Sequence, residues 1–282
     1  MQLSVPCFKS DGEVYDRCEL IKPKTGVIGD TYEVLQEKGE YPAILEFISG
    51  GISNFTSVDG DIVEDKARIR AICRRMPYIT SEVIALYIMI KVNPEDWIEG
   101  VYTCPRCHAQ IITGYDDEDD TRDKVSDLDI VNMGEDESGE INPDLYINNI
   151  HVDLKEPVKI IHAKTGNVLQ EIRSIDIRFP TIDDCIIGMQ KYPDKRDVKR
   201  QLAIYAMALT KVNGENVEIK WKRTWGEFIF DKLDPDDTSV IGEELQNYGL
   251  KKTVLRICRK CGKQWEAPVN TSNFFVSGLQ SV

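Results

Sequence analysis

Two Cys-x-x-Cys segments, Cys104-Pro105-Arg106-Cys107 and Cys258-Arg259-Lys260-Cys261, stand 154 residues apart in a chain of 282. Such a turn aims two sulfurs at one point, whereas a structural zinc ion takes four ligands in a tetrahedron, so either segment alone is half a site. Together they predict one structural zinc per chain, held by Cys104, Cys107, Cys258 and Cys261. The flanks agree: Val101 and Tyr102 precede the first knuckle and Ile111 and Ile112 follow it, while Val254, Leu255 and Ile257 precede the second and Trp265 follows. Strand, knuckle, strand is the pattern of a zinc ribbon, here with its two hairpins far apart in sequence. A redox dithiol would instead need a strand leading into a helix, which neither knuckle has. His108 reads as a bystander because four sulfurs already fill the shell. A four-thiolate zinc carries a charge of about −2, and Arg106, Arg256, Arg259, Lys260 and Lys263 are placed to offset it.

The same offset recurs outside the cysteines. Ile28-x-Asp30 aligns with Ile182-x-Asp184, Gln36 with Gln190, Gln110 with Gln264, and Val58-x-Gly60-x-x-Val63 with Val212-x-Gly214-x-x-Val217. Leu20 to Thr25 and Ile175 to Thr181 both read as a strand running into a Pro/Thr helix start, with a small indel displacing the prolines. A shared register of this kind points to an internal duplication. The expected fold is α+β: two duplicated units joined through one zinc-ribbon-like site of four cysteines.

Periodicity fills in the unit. Residues 43–55 (Ala43, Ile44, Phe47, Ile48, Ile52) and 198–209 (Val198, Leu202, Tyr205, Leu209) have helical apolar spacing. The run from Val83 to Ile90 is apolar on most faces and reads as a buried helix, too short for the ~20 residues of a membrane span. Alternation through Val152, Leu154, Val158 and Ile160, a turn at Lys164 to Asn167, and Ile172, Ile175 and Ile177 predict an antiparallel strand pair. Gly50-Gly51 reads as a helix kink or loop, and His151 and His162 as surface or strand residues.

Between the halves the material changes. Asp116 to Asp144 contains thirteen Asp or Glu against Arg122 and Lys124, a net of −11 in a chain whose total is −13. Self-repulsion of that density opposes collapse, so the segment is expected to be a flexible spacer, with Leu128, Ile130 and Val131 as its one apolar patch. The divisions that follow are 1–113, 114–146 as linker, 147–269, and an apolar tail at 270–282. Phe274, Phe275 and Val276 in the tail are expected to meet a partner protein. The near-neutral remainder lacks the basic stripe that nucleic-acid binding requires. No basic stretch followed by an apolar run opens the chain, so no targeting peptide is expected. Cys7, Cys18, Cys73 and Cys185 show no metal spacing and read as buried thiols. With three histidines, no phosphate-cradling glycine loop and no nucleophile elbow, the sequence does not read as an enzyme.

A hairpin around Val5 to Tyr15, a charged strand ending in Pro-Thr, a helical region and a Cys-x-x-Cys form an ordered series. With Ile177-Arg178-Phe179-Pro180-Thr181 and the closing Cys258-x-x-Cys261 followed by Ser272-Asn273-Phe274-Phe275, that series resembles the T4-type bacteriophage baseplate hub and hub-assembly proteins. The resemblance covers both units and none of the acidic linker. It implies a structural or assembly subunit of a contractile tail baseplate, with zinc as a staple, other tail proteins as partners, and symmetric oligomerisation within the assembly as an option. It also implies a location in the virion or, during assembly, in the host cytoplasm. Two alternatives stand beside it: a tail assembly chaperone absent from the mature particle, and a zinc-ribbon component of transcription or nucleic-acid machinery.

Overall fold

The computed structural model describes residues 2–10, 12–92, 100–113, 130–132, 150–193, 198–246, 249–250 and 253–268. The expected apolar tail, and the expected acidic spacer apart from Ile130–Asn132, lie outside the described residues.

The fold is α+β. Strands β1 (Gln2–Ser10) and β2 (Glu13–Leu20) form a hairpin that turns at Gly12, whose φ of 91° suits a residue without a Cβ. Helices α1 (Thr25–Lys38) and α2 (Glu40–Gly51) follow, separated by Gly39, which is left-handed and donates its N–H to the Leu35 carbonyl. Strands β3 (Ile52–Ser57) and β4 (Ile62–Val63) complete an antiparallel sheet of order β1-β2-β3-β4. Helix α3 (Lys66–Arg75) is capped by Asp65, which accepts from the Arg68 N–H at 2.8 Å, and α4 (Tyr78–Val92) is the expected buried helix. The first knuckle hairpin, β5 (Gly100–Thr103) and β6 (Gln110–Thr113), ends this half.

Inside the acidic stretch, β7 (Ile130–Asn132) pairs antiparallel with a short strand near the end of the chain, β12 (Gly249–Leu250). This part of the expected spacer is strand, because two β-branched residues interrupt the carboxylates there.

The second half runs through the same order. Strands β8 (Ile150–Ile161) and β9 (Val168–Ile177) form a hairpin turning at Gly166 (φ 71°), followed by α5 (Ile182–Lys191) and α6 (Val198–Ala208). Strands β10 (Leu209–Val212) and β11 (Glu215–Asn216) complete a second antiparallel sheet, whose order β8-β9-β10-β11 matches the first. Helix α7 (Ile219–Trp221), a π-helical turn over Lys222–Gly226, α8 (Glu227–Phe230) and α9 (Pro235–Gln246) lead to the second knuckle hairpin, β13 (Thr253–Ile257) and β14 (Gln264–Pro268).

The register between the halves is not ungapped. Gly12 and Gly166, and both cysteine pairs, keep the 154-residue offset. The strand ladder does not: Leu20 lies opposite Ile52 as Ile177 lies opposite Leu209, and Cys18 opposite Phe55 as Ile175 opposite Val212, each an offset of 157. β9 is longer than β2, and the turn after β10 is shorter than that after β3. Asp30 and Asp184 consequently have different jobs. Asp30 is exposed inside α1, whereas Asp184 forms a capping box with Thr181 and takes the Arg178 guanidinium at 2.5 and 3.1 Å.

Residues 43–55 divide between two elements, with the helix stopping at Gly51 and Ile52 opening a strand. Helical spacing up to Ile52 is overridden by the β-prone Ile-Ser-Asn-Phe-Thr run, which pairs with β2. Gly50 and Gly51 are close-packing positions within α2, not a kink or loop: a Cβ on Gly50 would run into the Val27 side chain and one on Gly51 into that of Ile88.

Each half has its own apolar core. Phe8 stacks on Tyr15 and Phe55 meets both edge-on, with ring centroids within 5.8 Å, on the first sheet, and Ile44 and Ile48 of α2 with Ile84 and Ile88 of α4 join the same core. Ile172, Ile175 and Ile177 of the second sheet bury against Tyr205, Phe230 and Ile241. The two cores meet where α4 and α5 exchange residues: Ile182 of α5 belongs to the first core, and Ile79 of α4 packs on the second. Around this seam Arg74 pairs with Asp183 at 2.7 Å, the Tyr78 N–H donates to the Pro180 carbonyl at 2.8 Å, and the Ile182 N–H to the Met76 carbonyl at 3.3 Å.

Candidate metal centre

Both knuckles are built by the same backbone hydrogen bonds. The Cys104 N–H donates to the Ala109 carbonyl (2.9 Å) and the His108 N–H returns to the Cys104 carbonyl (3.0 Å). At the second knuckle, Cys258 donates to Lys263 (2.8 Å) and Gly262 returns to Cys258 (2.7 Å). Closing so tight a turn needs a left-handed residue after the second cysteine, which is His108 (φ 56°) in one and Gly262 (φ 67°) in the other. His108 is exposed and serves the turn, outside the sulfur cluster.

The four sulfurs converge, all within 4.8 Å of one another. Two close approaches run between knuckles: Cys104 Sγ to Cys261 Sγ at 3.6 Å and Cys107 Sγ to Cys258 Sγ at 3.5 Å. An ion about 2.3 Å from each sulfur of a tetrahedron sets sulfurs about 3.8 Å apart, so the cluster has the size of a four-thiolate site. A disulfide would need about 2.0 Å. The four cysteines can therefore bind one metal ion, and among the described residues no other cluster of His, Cys, Asp or Glu has the geometry for one.

Cys104 and Cys258 are buried, Cys107 and Cys261 half-buried. Burial pushes the Cys104 thiol up, but hydrogen bonds from the Cys107 and Arg106 N–H groups, with those from Cys261 and Cys258, outweigh it and hold the pKa at about 6. A thiolate thus forms readily, as a metal ligand requires. The Lys263 N–H draws the Cys261 pKa down, but burial and the hydrogen bonds to the Cys258, Cys107 and Cys104 sulfurs outweigh it and push the thiol to about 12. Four sulfurs this close cannot all carry charge without a cation among them.

A contact absent from the sequence reading joins the hairpins beside the sulfurs. Tyr102 and Arg256 occupy the same position in their respective hairpins, two residues before the first cysteine. The guanidinium carbon lies 4.3 Å from the ring centroid, with both residues buried. This cation–π stack holds one hairpin on the other and brings a positive charge toward the cluster. The signal was present as an aromatic and an arginine at the shared offset. Arg106, Arg259, Lys260 and Lys263 are exposed.

The other expected site-neutral residues fall as read. Cys18, Cys73 and Cys185 are buried thiols whose pKa values burial raises, while the Cys7 side chain lies outside the described residues. His162 is exposed in the β8–β9 turn. His151, on β8, bonds through Nδ1 to Asp176 at 2.5 Å, which raises its pKa above the ordinary 6.5 despite some burial. A raised histidine stabilises below the unfolded value and loses that contribution as pH climbs through the folded one. His151→Gln is therefore expected to lower the melting temperature below about pH 6 by the equivalent of about 0.5 kcal/mol or less, the pair being exposed. Melts repeated at about pH 9 should show no difference between variant and wild type.

No family model, no curated protein and no solved structure matches this chain. No helix among the described residues is long and apolar enough to cross a membrane.

Proposed function

We propose that this chain is a structural or assembly subunit of a contractile bacteriophage tail baseplate, in its hub region, built from two duplicated units clasped by one zinc ion. The observation that carries the structural role is the provenance of the four sulfurs, two from each of two hairpins about 150 residues apart. An ion bound there ties the carboxy-terminal hairpin to the amino-terminal half. Its four-sulfur shell leaves no position for a substrate, which is the arrangement of a structural site and accords with a role other than catalysis. Tetrahedral sulfur favours zinc, with iron as the chemical competitor. Duplication is supported by the shared order of elements and strands and by the two knuckles' identical hydrogen bonds.

Protein partners, as opposed to nucleic acid, are supported by the ribbon's outer face. Leu255 and Ile257 of β13 are 63% and 50% exposed there, where phosphate binding would call for a basic stripe. Other tail proteins are the partners, and the virion, or the host cytoplasm during assembly, is the place.

Two measurements test the reading. Metal analysis of freshly purified protein is expected to give one zinc per chain; an iron-coloured protein, or none bound, sinks the structural zinc. Mass spectrometry of purified particles separates the roles: the polypeptide present at fixed copy number marks a permanent component, its presence only in assembly intermediates marks a chaperone, and its absence from both removes the tail assignment.

A further inference from the structure

Each sheet carries, at its edge strand, an exposed aliphatic patch, and the two patches have opposite charge. In the second half the β8–β9 hairpin runs out beyond the body: every residue from Ile161 to Gln170 is exposed, among them Ile161 (53%), Val168 (53%) and Leu169 (62%). Ile161 lies opposite Val168 in the ladder, and Leu169 is the residue skipped where the register shifts beside them. Lys159 and Lys164 give residues 157–170 a charge of +2, with no acid among them, in a chain of −13. At the borders, Glu171 is paired with Arg173 at 2.6 Å, and Glu156 shares an open groove of about 680 Å³ with Lys159 and Lys232, walled by Pro157, Ile161, Trp225 and Phe228. The acids that open α9 sit further back along β8, where Asp236 pairs with Lys155 and Asp237 accepts from the Lys155 N–H.

In the first half the β3–β4 turn has the complementary chemistry. It exposes Val58 (37%) and Ile62 (61%). Asp59, Asp61, Glu64 and Asp65, all exposed, give residues 57–65 a charge of −4 with no cation among them. Of the neighbouring cations, Arg17 and Arg68 are met by Asp16 and Glu13, and Lys66 turns its ammonium to the Ile52 carbonyl. β4 and β8 are each the last strand of their sheet. Because both patches are exposed, neither covers the other within one chain.

We infer that a second copy of this chain sets its β3–β4 turn on the tip of the β8–β9 hairpin. Val58 and Ile62 meet Ile161, Val168 and Leu169, and the turn's carboxylates lie over Lys159 and Lys164. Opposite charge selects this pairing over tip on tip or turn on turn, where like charges would face each other. The interface is heterologous, so it does not close on a pair; it propagates into a ring or an open filament. It goes beyond the tail assignment and does not depend on it.

Sedimentation of the zinc-loaded full chain tests this. Wild type is expected to grow with concentration beyond its 32.1 kDa monomer, and to grow less at about 1 M salt, where the screening length falls to about 3 Å. Ile62→Ser and Leu169→Ser, both at exposed positions, should each weaken that growth by about tenfold, since each removes an aliphatic anchor. An equimolar mixture of the two variants should form heterodimers and nothing larger, because one intact junction remains between them. Lys159→Glu with Lys164→Glu should stop growth by setting carboxylates against carboxylates. Adding Asp59→Lys, Asp61→Lys and Glu64→Lys to the same chain should restore it. A wild type that stays monomeric, serine variants that do not complement, or a charge reversal that is not rescued overturns the inference, and leaves the zinc and particle measurements free to decide the tail assignment. A Leu169→Ser chain that loses a co-purifying protein while its own association is unchanged gives the tip to another partner, and overturns it as well.

Discussion

Replacing Cys258 by serine is expected to abolish metal binding and to loosen both halves of the chain. Cys258 is buried at 1% exposure, 3.5 Å from Cys107, so the lost ligand cannot be replaced from solvent without opening the hairpin. A structural zinc supplies on the order of 10–16 kcal/mol of folding free energy in small zinc domains, and a three-ligand site forfeits much of it. The loss should reach across the chain: limited proteolysis is expected to cut near the first hairpin, Gly100–Thr113, as well as near the second. Cys104→Ser should give the same pattern. If only the mutated hairpin becomes susceptible, each knuckle is held by its own half and the shared centre is wrong.

The second large effect is expected at the seam. Ile182 is fully buried, sits on a helix of the second half and belongs to the core of the first. Ile182→Ala should cost about 2–5 kcal/mol through lost burial and the cavity left behind. In a chain of roughly this size that corresponds to about 2–4 °C of melting temperature per kcal/mol. Because the residue serves both halves, calorimetry should show one transition moving as a whole. Two separating transitions, with only the second half displaced, would mean the cores are thermodynamically independent.

The four-cysteine cluster was legible before folding because its constraint is local and chemical. Two Cys-x-x-Cys turns with strands on either side can be read from spacing alone, and the tetrahedral requirement pairs them across any separation. The antiparallel hairpin of β8 and β9 and the helix start at Thr181 were legible for a similar reason. Period-two alternation and a Thr-x-x-Asp cap are written in adjacent residues.

Other features were decided by packing. Ile52 continued a helical pattern yet became the first residue of a strand, since pairing with β2 outweighed the helical spacing of isolated apolar positions. The ungapped register held at the turns and knuckles but slipped by three residues through the strand ladder, where hydrogen-bond pairing, not sequence identity, sets which residues correspond. The sequence by itself determined the four converging cysteines and the α+β character. Only the tertiary structure decided that Tyr102 stacks on Arg256, that α5 docks into the first half, and that Trp225 and Phe228 face outward. Those outcomes depend on how surfaces far apart in the chain fit together, and local sequence patterns carry no record of that fit.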